Sequence, residues 1–150
     1  METNEEIYPM PSFPILNVTD LAASSQWYQE ALGFHHIFTM QGPGGIPLLA
    51  HLRWVKYADL LLGARPVESG RRGLGVTFSF SAYLAEQTVD EIAARAEARG
   101  AKIVAPPAQM PWNARECTIE DPDGYRLVFS EPINMNRDFS SVIEEAGKAG

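Results

Sequence analysis

The sequence predicts an α+β fold made of two tandem β-α-β-β-β modules, and three observations carry that prediction. A strand, an amphipathic helix and further β-rich runs occur in this order twice, over about 7–64 and again over about 74–132. Both helices run into a glycine, Gly33 and Gly100, where a left-handed stop is wanted. Asp121-Pro122-Asp123-Gly124 supplies a fixed φ, a carboxylate that can bond the backbone and a φ-permissive glycine, which together make a hairpin turn between two alternating strands.

Taken in order, Phe13 to Val18 reads as a strand, and Asp20 is placed to cap a helix carrying Leu21, Tyr28, Ala31 and Leu32 at helical spacings. Phe34 to Met40 and Pro47 to Lys56 are β-rich, joined by the turn cluster Gln41 to Ile46, and Ala58 to Ala64 adds another apolar run. Residues 65–73, with Pro66, Gly70 and arginines, read as a polar linker. Gly75 to Ser81 is the next strand, with Val76, Phe78 and Phe80 on one face. A helix from about Thr88 to Arg99 turns Val89, Ile92, Ala93 and Ala96 inward. Ala101 to Val104 reads as a short strand and Ala105 to Asn113 as a proline-rich loop. Cys117 and Ile119 then alternate with polar neighbours before the turn, as Tyr125, Leu127 and Phe129 do after it. In the tail, 133–150, the stretch from Asp138 to Glu145 is suited to one more short helix.

With 150 residues, 45% hydrophobic and 21% charged, the chain has the make-up of one globular unit with a sizeable core. No apolar run approaches the roughly 20 residues of a membrane span, and the start is acidic where a secretory signal would be basic. The expected compartment is the cytoplasm, with no membrane partner. The single cysteine, Cys117, excludes an internal disulfide, and its apolar strand position predicts a buried, inert thiol. A formal net charge of -7 argues against a phosphate-binding surface, so nucleic acid is not an expected partner, and neutral or cationic ligands are favoured.

Pro14-Ile15-Leu16-Asn17-Val18-Thr19-Asp20-Leu21, followed by Trp27-Tyr28-Gln29-Glu30-Ala31-Leu32-Gly33-Phe34, resembles the first-module signature of the vicinal oxygen chelate superfamily, the glyoxalase, bleomycin-resistance and extradiol-dioxygenase relatives. Gly100-Ala101-Lys102 with Asp121-Pro122-Asp123-Gly124-Tyr125 is similar to its second-module counterpart. The likeness covers roughly 7–132 and implies concave sheets. In members that are metal enzymes, one donor from the first and last strand of each module converges on a single ion, with a coordination position left open for substrate. By this resemblance the four positions fall on Phe13, Leu61, Gly75 and Val128, none of which can bind a metal. His35 and His36 are adjacent on a strand and point to opposite faces, and His51 stands alone. Neither a metal nor another cofactor is expected.

The superfamily also contains metal-free dimeric proteins that sequester drugs such as bleomycin, and Gln109 to Glu116 is similar to their Pro-Trp-Gly-x-Arg-Glu stretch, with Asn113 in place of glycine. The resemblance implies a homodimer with clefts at its interface, binding a small, aromatic natural product or antibiotic in self-resistance or biosynthesis. Rigid aromatic walls and a few polar groups suit such a ligand. Phe38 and Trp112 are the candidate walls, and His51, Asp59, Thr77, Ser79 and Glu116 the candidate polar contacts. No residue is assigned a catalytic role. The alternatives are a metal-free enzyme with His51, Asp59 or Glu116 as general base, and a glyoxalase-like lyase or dioxygenase, against which the four missing donors weigh. Trp112 beside Pro111 also suits a cap on the end of the sheet, while Tyr28 and Trp54 suit the core.

Overall fold

A computed structural model describes residues 6–65 and 72–149, so most of the expected linker, 66–71, lies outside the described residues. The first sheet takes β1 (Ile15–Asn17), β2 (His35–Gln41), β3 (Pro47–Arg53) and β4 (Asp59–Gly63) in the order β1-β4-β3-β2. The second takes β5 (Thr77–Ser81), β6 (Lys102–Met110), β7 (Ala114–Glu120) and β8 (Arg126–Pro132) in the order β5-β8-β7-β6. β1 runs parallel to β4 and β5 parallel to β8, while the other neighbours are antiparallel, so the two mixed sheets repeat one topology.

The helices begin and end where the sequence marks them. Asp20 accepts from the amide of Ala23 to open α1 (Leu21–Trp27), which continues as a π-helical turn, Tyr28–Leu32, and stops at Gly33 with φ 80°. Thr88 and Glu91 form a reciprocal cap at the start of α2 (Val89–Ala98). α3 (Phe139–Ala149) follows the second sheet. The turn after β7 is held by Asp121, whose Oδ1 accepts from the amides of Asp123 and Tyr125, both at 2.9 Å.

Each sheet turns one face inward, and the two inward faces share a core. Leu16, Ala50, Leu52, Leu60 and Leu62 come from the first sheet, and Cys117, Ile119, Leu127 and Phe129 from the second, all buried. The aromatic rings of Phe34, Trp54, Phe80 and Phe129 join the two halves, with centroids 5.1 to 6.3 Å apart. The Trp54 indole N–H donates to the carbonyl of Ser81 at 2.8 Å. The other face of each sheet therefore lies on the outside of this core.

Two elements differ from the sequence expectation. The proline-rich stretch is not a loop: β6 runs unbroken through Pro106 and Pro107. It is the edge strand, where a missing N–H costs no interior ladder bond, and its register shifts between Ala105 and Ala108 take up the prolines. In β2, a bulge at Ile37 changes the pairing from His36 with Leu52 to Phe38 with His51, so His35 and Phe38 share the outer face despite their spacing.

Candidate functional site

The outer face of the first sheet is built in cross-strand rows. Register alone places Phe38, His51, Leu61 and Ile15 side by side, and Met40, Leu49, Gly63 and Asn17 in the next row. In a third row Arg53 pairs with Asp59 and with His35. His36 faces the other way, toward α1, and its Nε2 lies 2.7 Å from Thr39 Oγ1.

One end of this face is an enclosed ionic cluster. Asp59, 3% exposed, accepts from Arg53 Nε at 2.7 Å and Nη2 at 2.9 Å, and its Oδ2 lies 2.6 Å from His51 Nε2. Arg53 also donates to the carbonyl of Glu6 at 2.7 Å and lies 4.5 Å from the centre of the Tyr8 ring. The hydrogen bonds to Asp59 hold the guanidinium charged, against the cost of its burial. His51 thus does not stand alone, and Asp59 is not a carboxylate without partners. Five residues separate Arg53 from Asp59, and this tight hairpin brings the three side chains together. His51 is met edge-on by Phe38, ring centroids 5.3 Å apart.

The other end opens into a cavity of about 560 Å³ lined by Ile15, Asn17, Met40, Leu48, Leu49, Gly63, Ala64 and Arg65. Sequence reasoning passed over all of these. Alternation in β1, β3 and β4 marks Ile15, Asn17, Leu49 and Gly63 as outward once the strand order is known, but the order is a tertiary fact.

On the second sheet, Thr77 and Ser79 are exposed on the outer face of β5. Glu116 stands on β7 and accepts from the Trp112 indole N–H at 3.2 Å; Trp112, 47% exposed, sits in the β6–β7 turn. Asn113 there has φ 62°, the left-handed geometry expected of a glycine substitute. The structure therefore brings Phe38, His51 and Asp59 together, and Glu116 together with Trp112. It does not join the two groups within one chain, because their faces lie on the outside of a common core.

The donor set does not fit a metal. Register sets Leu61 beside Ile15 and Val128 beside Ser79. Phe13, Leu61, Gly75 and Val128 have no side-chain oxygen or nitrogen to offer, and the His51–Asp59 pair is already neutralised by Arg53. Among the described residues no three His, Cys, Asp or Glu side chains gather as a metal-binding group. No helix among them is long and apolar enough to cross a membrane.

Residues 12–129 match the family described as Glyoxalase/Bleomycin resistance protein/Dioxygenase superfamily. Among solved structures, TioX from Micromonospora sp. ML1 is 24% identical, with 80% of this chain and 96% of that chain covered at a TM-score of 0.61. A glyoxalase/bleomycin resistance protein from Streptomyces sp. CB03234 is 22% identical, with coverages of 79% and 97% and a TM-score of 0.60. A superfamily member from Sphaerobacter thermophilus DSM 20745 is also 22% identical, with coverages of 83% and 98% and a TM-score of 0.61. At these identities the likeness is one of fold. No match to a curated protein was found.

Proposed function

The chain belongs to the Glyoxalase/Bleomycin resistance protein/Dioxygenase superfamily, and on that footing we propose that it binds and sequesters a small, aromatic natural product or antibiotic, without a metal ion and as a homodimer. One observation carries the reading. By the family resemblance, the positions where metal-enzyme relatives hold their ion fall on Phe13, Leu61, Gly75 and Val128, while the face that includes Leu61 has a largely apolar cavity of about 560 Å³ one row along the sheet from the Phe38–His51 pair. That volume lies within the roughly 300–1,000 Å³ typical of small-molecule sites. A cleft of this make-up grips by shape and ring contact rather than by coordination.

Within this reading Phe38 is a wall, His51 a polar contact, and Asp59 the enclosed group that orients His51. Thr77, Ser79, Trp112 and Glu116 reach the ligand from the second sheet of another copy, since the two outer faces do not meet inside one chain. The setting is self-resistance or biosynthesis of the bound compound in the cytoplasm. A thermal-shift screen against aromatic antibiotics, bleomycin among them, tests it: a ligand at 100 times its dissociation constant adds about 2.7 kcal/mol to the native state. Trp112→Ala should remove most of the shift. A panel that leaves the melting temperature unchanged counts against sequestration.

A second reading is favoured by the 2.6 Å contact between His51 Nε2 and Asp59 Oδ2. An imidazole oriented by a carboxylate can take a proton from a bound substrate, which makes a metal-free enzyme of natural-product biosynthesis the alternative. Mass spectrometry of the compound recovered after incubation separates the two. An unchanged mass supports binding alone, and a new product supports catalysis.

A further inference from the structure

Among the described residues, Arg65 is the one charged side chain that lines the cavity of the first sheet. The chain stays beside β3 past Gly63, since the Ala64 amide donates to the carbonyl of Leu48 at 3.3 Å. Arg65 also precedes Pro66 in the sequence, a position held extended. Strand alternation therefore carries Arg65 to the outer face, with Leu61 and Gly63. Its side chain is exposed, so a molecule in the cavity can reach it. In a chain with 19 Asp and Glu against 12 Lys and Arg, a cation finds an acceptor readily. Every other described arginine and lysine does, with partners that range from Asp59 at 2.7 Å from Arg53 to Glu6 at 3.9 Å from Lys56. Arg65 has no such partner among the described residues, and its five N–H donors stand open beside an apolar hollow.

We propose that the ligand is an aromatic acid, with its rings on Ile15, Met40 and Leu49 and its one anionic group, a carboxylate or sulfonate, accepting hydrogen bonds from the Arg65 guanidinium. The proposal rests on the binding reading above and adds the ligand's chemical class. The planar fork of arginine matches a group with two or more anionic oxygens, which it meets through parallel N–H donors. Because Arg65 is exposed, the anion keeps part of its hydration while the rings leave water, and the pair escapes the desolvation cost of a buried one. No acidic side chain among the described residues lines the cavity. The net charge of -7 therefore opposes an anion only from a distance. At physiological salt, exposed charges more than about 8 Å apart are largely screened, whereas the guanidinium stands at about 2.8 Å from the oxygens it binds. The near cation outweighs the distant acid.

The test uses the full-length protein and two fluorescent probes that differ only by a sulfonate: 8-anilinonaphthalene-1-sulfonate and the neutral N-phenyl-1-naphthylamine. At low salt the sulfonate is expected to bind about five-fold more tightly, the upper range for an exposed ion pair, and the preference should shrink as salt is raised to about 0.5 M. Arg65→Gln should abolish the preference while both probes still bind, and Arg65→Lys should keep part of it. The substituted side chain is exposed and holds no other group in place, so the variants should fold as the parent does. Equal affinity for the two probes, a preference that persists in Arg65→Gln, or an equal weakening of both probes in that variant overturns the pairing with Arg65 and leaves sequestration standing. If neither probe binds while an aromatic antibiotic shifts the melting temperature, the proposed ligand class is wrong. If nothing aromatic binds at all, the sequestration reading falls as well.

Discussion

Tyr28 donates to Asp121 Oδ2 at 2.7 Å, tying the π-helical turn of one half to the hairpin turn of the other. Burial, reinforced by the Asp121 charge, holds the Tyr28 hydroxyl well above its ordinary pKa of 10.0. Burial also pushes Asp121 up, against hydrogen bonds from Tyr28 and two amides that favour its ionised form. Tyr28→Phe leaves a buried carboxylate oxygen without its donor and should cost about 1–3 kcal/mol, read from urea midpoints at neutral pH. Because the folded pKa of Tyr28 exceeds the unfolded one, its stabilisation is fully present below pH 10.0 and is lost as pH rises through the folded value. Wild-type midpoints should thus fall above that pH. Tyr28→Phe should flatten the fall without removing it, since Tyr125 is raised as well. Equal alkaline slopes would falsify the Tyr28 assignment. At Cys117, burial raises the thiol to about 11. The native protein should resist a thiol-reactive dye that labels it stoichiometrically in denaturant; fast labelling of the folded protein would contradict this. The burial of Cys117 was legible from strand alternation alone. The contact of His51 with Asp59 was not, because the two meet only through the register of a hairpin.

The ends of elements were read well, since each carries its own chemistry: Asp20 and Thr88 accept from free amides, and Gly33 and Gly100 take left-handed φ. Gly33 does more than stop a helix. A Cβ there would run into the guanidinium of Arg95, which reaches across from α2 toward the carbonyl of Leu32. Gly33→Ala combines that crowding with left-handed strain and should lose about 1–2 kcal/mol, roughly 2–4 °C per kcal/mol in a calorimetric scan. An unchanged scan would contradict the left-handed strain assigned to residue 33. Element interiors were harder to read. The bulge at Ile37 breaks the two-residue rhythm of β2, and no local signal announces it. Pro106 and Pro107 argued for a loop because proline is excluded from interior strands, and only the sheet order reveals that β6 has a free side.

Across the whole molecule, the two inward faces share one core, and this leaves the seven candidate residues divided between two outer faces. A ligand gripped by both faces must bind between copies, so its affinity should fall when the protein is diluted below its dimer dissociation constant. Light scattering should report a dimer at micromolar concentration, and titrations at nanomolar and micromolar protein should give different apparent affinities. Identical affinities for a monomeric species would remove the shared cleft. The tandem modules were visible in the sequence as a repeated order of elements, whereas their packing through a common interior was not, because the aromatic contacts that fuse them lie far apart along the chain. The prolines of β6 bear on this assembly. Two of the nine residues of β6 are prolines without an amide hydrogen, which makes the strand a poorer template for a neighbour's backbone, so that border resists growth into a continuous ribbon and discourages fibre formation.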